Sequence, residues 1–305
     1  MNLPTIYDPA HLTVDYEPNF EAAYRAGAAA GLPAASQDET RIFAWFIDIQ
    51  NDFVFPAPIG RLPVAGAVED TRRTVEWLYR NLDHITQIAA SMDTHTPFQI
   101  FYPSWWKNAA GEHPAPYTVI TAAEVKAGKW LPITEAGWSA YYVDALEQTG
   151  RKQLMIWPFH CLEGSSGRDL VPALSEAIMV HSAARMAQPM YHAKGTIAQT
   201  EYYSMVEPEV KYPDLPEGRL DTQFLDTLAG FDLIYVAGQA RSHCVYETVH
   251  SFVRYFEQRP DVIGKLRFLN DCSSSIAGFE EATEAALQKF VEAGMKMVNS
   301  SDPLG

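Results

Sequence analysis

Leu233-Ile234-Tyr235-Val236-Ala237-Gly238-Gln239-Ala240-Arg241-Ser242-His243-Cys244-Val245 joins two kinds of sequence across one turn. Residues 233–237 form an unbroken apolar run of strand length, while Val245, Val249, Phe252 and Phe256 recur at helical spacing. The turn opened by Gly238 thus delivers Cys244 to the start of a helix. Backbone N–H groups lack intrahelical partners there, and the helix dipole favours negative charge. Both effects predict a thiolate held below the free thiol value of about 8.5. A small buried cysteine closing a strand–helix joint carries the same local sequence, so the choice falls to the rest of the chain.

Outward from this joint, strands and helices alternate. Ile42-Phe43-Ala44-Trp45-Phe46-Ile47 is a second continuous apolar run and ends in Asp48. Val75, Leu78 and Leu82 follow at helical spacing, and a strand over 85–92 ends in Asp93-Thr94-His95. A helix over 169–186 leads to a short strand near 190–192 and then to Lys194-Gly195. Beyond Cys244 the pattern continues as strand 266–269, helix 279–291 and strand 295–298. Runs apolar on both faces belong to buried parallel strands, so the chain is predicted to be α/β. The expected form is a doubly wound three-layer α/β/α domain, with a mostly parallel sheet of about six strands. Residues 1–40 read as an N-terminal arm with one short helix over 20–31, packed on the surface or on a neighbouring subunit, and 41–305 as the domain. Residues 97–153 are irregular, begin with Phe101-Tyr102-Pro103-Ser104-Trp105-Trp106, and hold short helices near 122–127 and 140–148. Such length inside a compact domain reads as an aromatic-rich insertion that serves as a lid or subunit contact, and a homo-oligomer is expected.

Composition narrows the partners. The chain has 305 residues, 47% hydrophobic and 20% charged, with a formal net charge of -15. It is a soluble globular composition, and the negative charge argues against nucleic acid and against an anionic membrane surface. Cys161, Cys244 and Cys272 are a sparse, odd set, which points to a reducing compartment rather than a disulfide framework. The first residues show neither a basic nor an apolar targeting segment, so the cytoplasm is the expected location.

In an open parallel sheet, ligands bind beyond the carboxyl ends of the strands. Asp48, Asp93, His95 and Cys244 all follow predicted strands and so converge on one candidate site. Singly each has a plainer role, Asp48 and Asp93 as caps and His95 as a packing residue. Five motifs then fall in order: Asp48-Ile49-Gln50-Asn51-Asp52-Phe53; Asp93-Thr94-His95; Trp157-Pro158-Phe159-His160-Cys161 with Gly164 and Gly167; Lys194-Gly195 before Tyr203-Ser204; and Gly238 to Val245. In this set and order the chain resembles the isochorismatase-like cysteine hydrolase superfamily, nearest its nicotinamidase and pyrazinamidase branch. The resemblance runs from about Ile42 to about Val298.

The resemblance implies Cys244 as nucleophile, Asp48 as general acid/base and Lys194 as the third catalytic member. It also implies an oxyanion hole from the N–H groups of Ala240 and Cys244, with a cis peptide between Gln239 and Ala240. Thiol chemistry asks for the same parts, a base to take the proton and a cation to steady the sulfur. Asp93, His95 and His160 resemble the family's metal ligands. One carboxylate and two imidazoles suit a divalent metal, Zn²⁺ foremost with Fe²⁺ or Mn²⁺ as alternatives. Several relatives carry a further histidine just after the Asp-x-His pair, where this chain has Thr96-Pro97-Phe98-Gln99-Ile100-Phe101. That ligand position then falls to water, or the metal binds more weakly. Phe53 and Trp157 match aromatic positions flanking the substrate ring. His243 is poorly placed to deprotonate its neighbour, because adjacent helical side chains diverge by about 100°, and is read as a contact to substrate or to the solvent shell of the metal. The implied activity is deamidation of nicotinamide or a similar heteroaromatic carboxamide through a thioester. The alternatives are a ureido or carbamoyl amide on the same fold, or a non-catalytic binding protein.

Overall fold

The computed structural model describes residues 3–13, 16–148, 152–212 and 214–305. Its central sheet contains β1 (Ile42–Ile47), β2 (Ile85–Asp93), β3 (Met190–Lys194), β4 (Leu233–Gly238), β5 (Leu266–Leu269) and β6 (Lys296–Val298). They lie in the order β6-β5-β4-β1-β2-β3, and every neighbouring pair is parallel. Burial runs along the whole of β1. Its pleat sends Ile42, Ala44 and Phe46 into one core and Phe43, Trp45 and Ile47 into the other. A strand covered on both faces has no polar side, which is why these residues read as one continuous apolar run.

The principal helices are α1 (Phe20–Ala28), α2 (Ala67–Arg80), α3 (Ala136–Gln148), α4 (Pro172–Arg185), α5 (Thr222–Ala229), α6 (Tyr246–Tyr255) and α7 (Glu280–Glu292). Val75 and Leu78 of α2, Leu174 and Ile178 of α4 and Ala23 of α1 pack on the Phe46 side. Phe224 of α5, Val249 and Phe252 of α6 and Leu287 and Phe290 of α7 pack on the Trp45 side. The chain therefore winds outward twice, from β1 to β3 under one helical layer and from β4 to β6 under the other. That is the doubly wound α/β/α arrangement the sequence predicts, and its winding reverses between β1 and β4. Crevices beyond the carboxyl ends of strands at such a reversal are where this architecture binds ligands. Gly238 closes the β4 side of the crevice with φ of 139°, and a Cβ there would lie 2.0 Å from the Ile47 carbonyl oxygen. Only glycine permits that approach.

Residues 97–153, of which 149–151 lie outside the described residues, contribute to a third core that includes Ile100, Phe101, Tyr102, Trp105, Trp106, Tyr142, Val143 and Leu146. The Trp105–Trp106 pair is structural: the Trp105 indole N–H donates to Ser139 Oγ at 3.0 Å and that of Trp106 to the Ile100 carbonyl at 2.7 Å. Among the described residues no helix is long and apolar enough to cross a membrane.

The arm residues 16–28 pack on the chain's own α4. Glu176 accepts from the Tyr16 hydroxyl and from the Asn19 backbone N–H, both at 2.8 Å, and Asn19 caps α1. At the crossing, a Cβ on Gly27 would meet Val180 O at 2.4 Å and Ala183 Cβ at 2.8 Å, whereas one on Gly137 in α3 would meet nothing within 4 Å. In thermal or urea unfolding, Gly27→Ala is expected to destabilise by about 1–3 kcal/mol through overpacking. Gly137→Ala is expected to stabilise by about 0.5–1 kcal/mol. Equal effects from the two substitutions would rule out the close α1–α4 crossing.

Candidate active site

Beyond the carboxyl ends of the strands, β1 delivers Asp48, β2 delivers Asp93 and then His95, β3 ends on Lys194, and β4 leads to Cys244. Asp48 has φ of 48°, a left-handed turn tolerated by short polar side chains. Ser91 of β2 fixes it, accepting from the Asp48 N–H at 3.1 Å and donating to Oδ1 at 2.6 Å. Gln50 clamps the start of the second loop, accepting from the Asp93 N–H and donating to the Asp93 carbonyl, both at 2.8 Å. Cys244 does not sit in an ordinary first turn of α-helix. Residues Arg241–Val245 form a single π-helical turn, with Val245 N–H donating to the Ala240 carbonyl at 3.2 Å, before α6 begins. The peptide bond between Gln239 and Ala240 is cis.

Lys194 is the centre of the cluster, and its side chain is 1% exposed. Its ammonium donates to Asp93 Oδ1 at 2.5 Å, to the Tyr202 carbonyl at 2.8 Å and to Cys244 Sγ at 3.7 Å. Asp48 Oδ2 forms an ion pair with the same nitrogen at 2.9 Å and is also within reach of the Cys244 thiol as an acceptor. A carboxylate oxygen of Asp48, one of Asp93 and Cys244 Sγ all fall within 4.8 Å of one another. Burial opposes the charge on Lys194, but Asp48 and Asp93 outweigh it and hold the ammonium protonated well above its ordinary range. Burial also acts against Asp93, and there the charges of Lys194 and His95 prevail and keep it ionised. Asp48 is pushed up, by burial first and by the Asp93 charge, with Lys194 opposing.

The expected thiolate is corrected here. Burial pushes the Cys244 thiol well above its ordinary value, Lys194 only partly offsets this, and Asp48 and Asp93 push it further up. The dipole of one helix end is worth about 0.3–1 kcal/mol at an exposed site. Desolvation of an ion in a sealed site amounts to several kcal/mol, so burial wins. The resting sulfur is a thiol beside an acceptor.

Asp93, His95 and His160 meet as expected, with ligand atoms within 4.8 Å of one another and all three residues buried. His95 Nδ1 pairs with the Gly195 carbonyl at 3.2 Å and His160 Nδ1 with the Pro158 carbonyl at 2.8 Å. A carbonyl only accepts, so each Nδ1 carries a proton. Burial opposes charge on His95, but the Asp93 carboxylate outweighs it and raises its pKa, so His95 Nε2 presents a lone pair only once a metal displaces its proton. His95 Nε2 is buried with no hydrogen-bond partner. Burial holds His160 neutral, with its pKa lowered to about 3. One carboxylate and two imidazoles anchored through Nδ1 are a donor set that could hold a divalent metal. The segment after His95 adds no further donor; Phe101 packs edge-on against the His95 ring, with centroids 4.9 Å apart. Gly195 has φ of 74°, and a Cβ there would lie 2.5 Å from His95 Cε1, so the β3 loop needs glycine to pass the ligand.

A cleft of about 390 Å³, including its mouth, joins the two groups; its lining includes Phe53, Trp157, His160, Ala240, His243 and Cys244. Every residue singled out from sequence thus borders this cleft or belongs to the cluster beneath it. His243 Nδ1 pairs with Ser242 Oγ at 2.8 Å rather than with the thiol, consistent with a wall position. Sequence reading missed Ser91, Glu201 and Ile276. A serine inside an apolar strand is a usable signal for Ser91, while Glu201 lies where no periodicity marks its neighbours.

The thiol environment has a pH signature. A group with a raised pKa gains its reactive, deprotonated form only as pH rises. Iodoacetamide labelling of Cys244 in metal-free protein should therefore be slow at neutral pH and keep accelerating through about 8.5, the free thiol value. A rate already level at pH 7 would contradict the burial argument.

No family model matches the chain, and no curated protein matches its sequence. Solved structures do. A nicotinamidase/pyrazinamidase of Acinetobacter baumanii superposes with a TM-score of 0.55 at 20% identity, covering 88% of this chain and 100% of that one. The yeast nicotinamidase Pnc1p gives 0.57 at 17% identity over 85% and 100%, and its complex with the inhibitor nicotinaldehyde 0.58 at 18% over 85% and 99%. The chain is therefore folded as the nicotinamidases are, in the doubly wound α/β architecture that its alternating strands and helices predict.

Proposed function

We propose that the chain is a metal-containing cysteine amidohydrolase that deamidates nicotinamide or a similar heteroaromatic carboxamide to the acid and ammonia. One observation carries the reading: Lys194 bonds both Asp93 of the metal donor set and Cys244, with Asp48 ion-paired beside it as an acceptor for the thiol proton. A packing cysteine needs none of these partners. The apolar walls from Phe53, Leu62, Val64 and Trp157 suit a flat ring. Structures of the same fold hold nicotinaldehyde in Pnc1p and nicotinate in the L. infantum protein. Metal donors in the cleft wall favour this substrate class over a ureido or carbamoyl amide. In the same reading residues 1–40 are an arm, 41–305 the hydrolase domain, and 97–153 the insertion beside its cleft.

The reaction uses the cluster in two halves. Cys244 gives its proton to Asp48 as the sulfur attacks the amide carbon, and the carbonyl electron pair moves onto oxygen. The N–H groups of Ala240 and Cys244 hold that oxyanion. When the carbonyl re-forms, the C–N bond breaks, and the nitrogen takes the Asp48 proton and leaves as ammonia. A thioester and an ionised Asp48 remain. Water then attacks the thioester while Asp48 takes its proton; the C–S bond breaks, the acid departs and the sulfur recovers the proton. Throughout, Lys194 steadies the negative charge that passes between Cys244 and Asp48. Asp93, His95 and His160 would hold a divalent ion, which supplies a Lewis-acidic position for a ring nitrogen of the substrate.

Ammonia release from nicotinamide by purified protein tests the reading. Cys244→Ala and Asp48→Asn are each expected to lower kcat at least about a thousandfold. His160→Ala should lose bound metal, measured by elemental analysis, together with activity. No ammonia from any heteroaromatic carboxamide, with or without added Zn²⁺, would reject it, as would an active Cys244→Ala protein.

A further inference from the structure

Glu201 stands in the cleft wall outside both the catalytic cluster and the metal donor set. It is 5% exposed, and Oε1 accepts from the Tyr202 backbone N–H at 2.9 Å. Among the described residues no donor is assigned to Oε2, and no lysine or arginine forms an ion pair with the carboxyl. The surrounding wall does not fill that need. Phe53, Leu62, Val64 and Ile276 are apolar, the indole N–H of Trp157 is already given to the Tyr203 hydroxyl at 3.2 Å, and the polar wall residues His160, Tyr203 and His243 make no hydrogen bond to the carboxyl. Glu201 Oε2 is not among the fully buried unpartnered atoms, and an accessible carboxyl oxygen in the cleft wall with no protein donor is left for an occupant that brings one.

We infer that Glu201 is a specificity-determining residue that accepts a hydrogen bond from an N–H donor on the substrate ring. The preferred substrate is then an amino-substituted heteroaromatic carboxamide rather than the unsubstituted amide. The inference rests on the amidohydrolase reading for the identity of the ring and its amide. It needs only acceptor capacity at Oε2, which the carboxyl has in either protonation state. A site built around such an acceptor discriminates against a ligand lacking the donor, because the empty ligand leaves the acceptor unpaired.

The test measures binding separately from turnover. In a Cys244→Ala background, calorimetry with nicotinamide and a set of its ring-amino derivatives is expected to show at least one amino derivative binding about tenfold to a hundredfold tighter. Adding Glu201→Leu should bring that ratio to about one while nicotinamide itself binds much as before. Glu201→Gln, which keeps an acceptor but loses the charge, should fall between, and it decides the matter if the leucine variant melts early. No amino derivative binding tighter than nicotinamide, or a preference that survives in a folded Glu201→Leu protein, overturns the inference. Ammonia assays of the same compounds with Cys244 intact separate the two readings. Deamidation without amino preference removes the role of Glu201 and leaves the amidohydrolase, whereas amino preference without deamidation does the reverse.

Discussion

The structure depends on one buried positive charge. Lys194 sits almost fully enclosed at the end of β3, where an isolated ammonium would be costly by several kcal/mol. Asp93, Asp48 and the Tyr202 carbonyl make it tolerable. One cation faces two carboxylates, so the pair Lys194–Asp93 is neutral and Asp48 carries the excess. That imbalance explains why Asp93 stays ionised, why Asp48 is drawn towards holding a proton, and why the neighbouring thiol resists losing one. It also ties the two halves of the site together. Asp93 is shared between the lysine and the group of Asp93, His95 and His160 that could hold a metal ion.

Topology provides this meeting point at little local expense. The winding reverses between β1 and β4, and the strands that end at the reversal and beside it carry Asp48, Asp93, Lys194 and the path to Cys244. Side chains in contact come from positions far apart in the chain, yet each is placed by a short turn after a rigid strand. Ser91 and Gln50 then fix the two carboxylate loops by hydrogen bonds to backbone and side chain. The cleft wall comes partly from Trp157 and His160, which follow residues 97–153, so the wall and the charged cluster beneath it arise from different parts of the chain.

Much of this was legible in the sequence because the same physics writes both. Strands buried on two faces must be apolar throughout, which made β1 and β4 visible, and polar residues just past them had to lie at one edge of the sheet. Cys244 was legible as a position but not as a protonation state. Helix ends can be read from spacing, whereas the burial that raises the thiol, and the Asp48 and Asp93 charges that add to it against Lys194, exist only in three dimensions. The π-turn at Arg241–Val245 has the same composition as an ordinary helix start and so left no mark. α5 escaped because eight residues give little periodicity, although Asp221, which caps it by accepting from Phe224 N–H at 2.9 Å, was a usable signal. Glu201 was illegible for a different reason. An acidic residue in an irregular stretch reads as solvated, and only the enclosing wall shows that it faces the cleft.

The account holds that Cys244 carries the acyl group of an amide, with its proton passing through Asp48. Acid quenching during turnover of nicotinamide, followed by intact-protein and peptide mass spectrometry, examines this directly. A nicotinoyl adduct confined to the peptide containing Cys244 is the predicted result, appearing during turnover and vanishing when substrate is exhausted. Turnover with the adduct on another residue, or activity undiminished in a Cys244→Ser protein that shows no adduct, would contradict it.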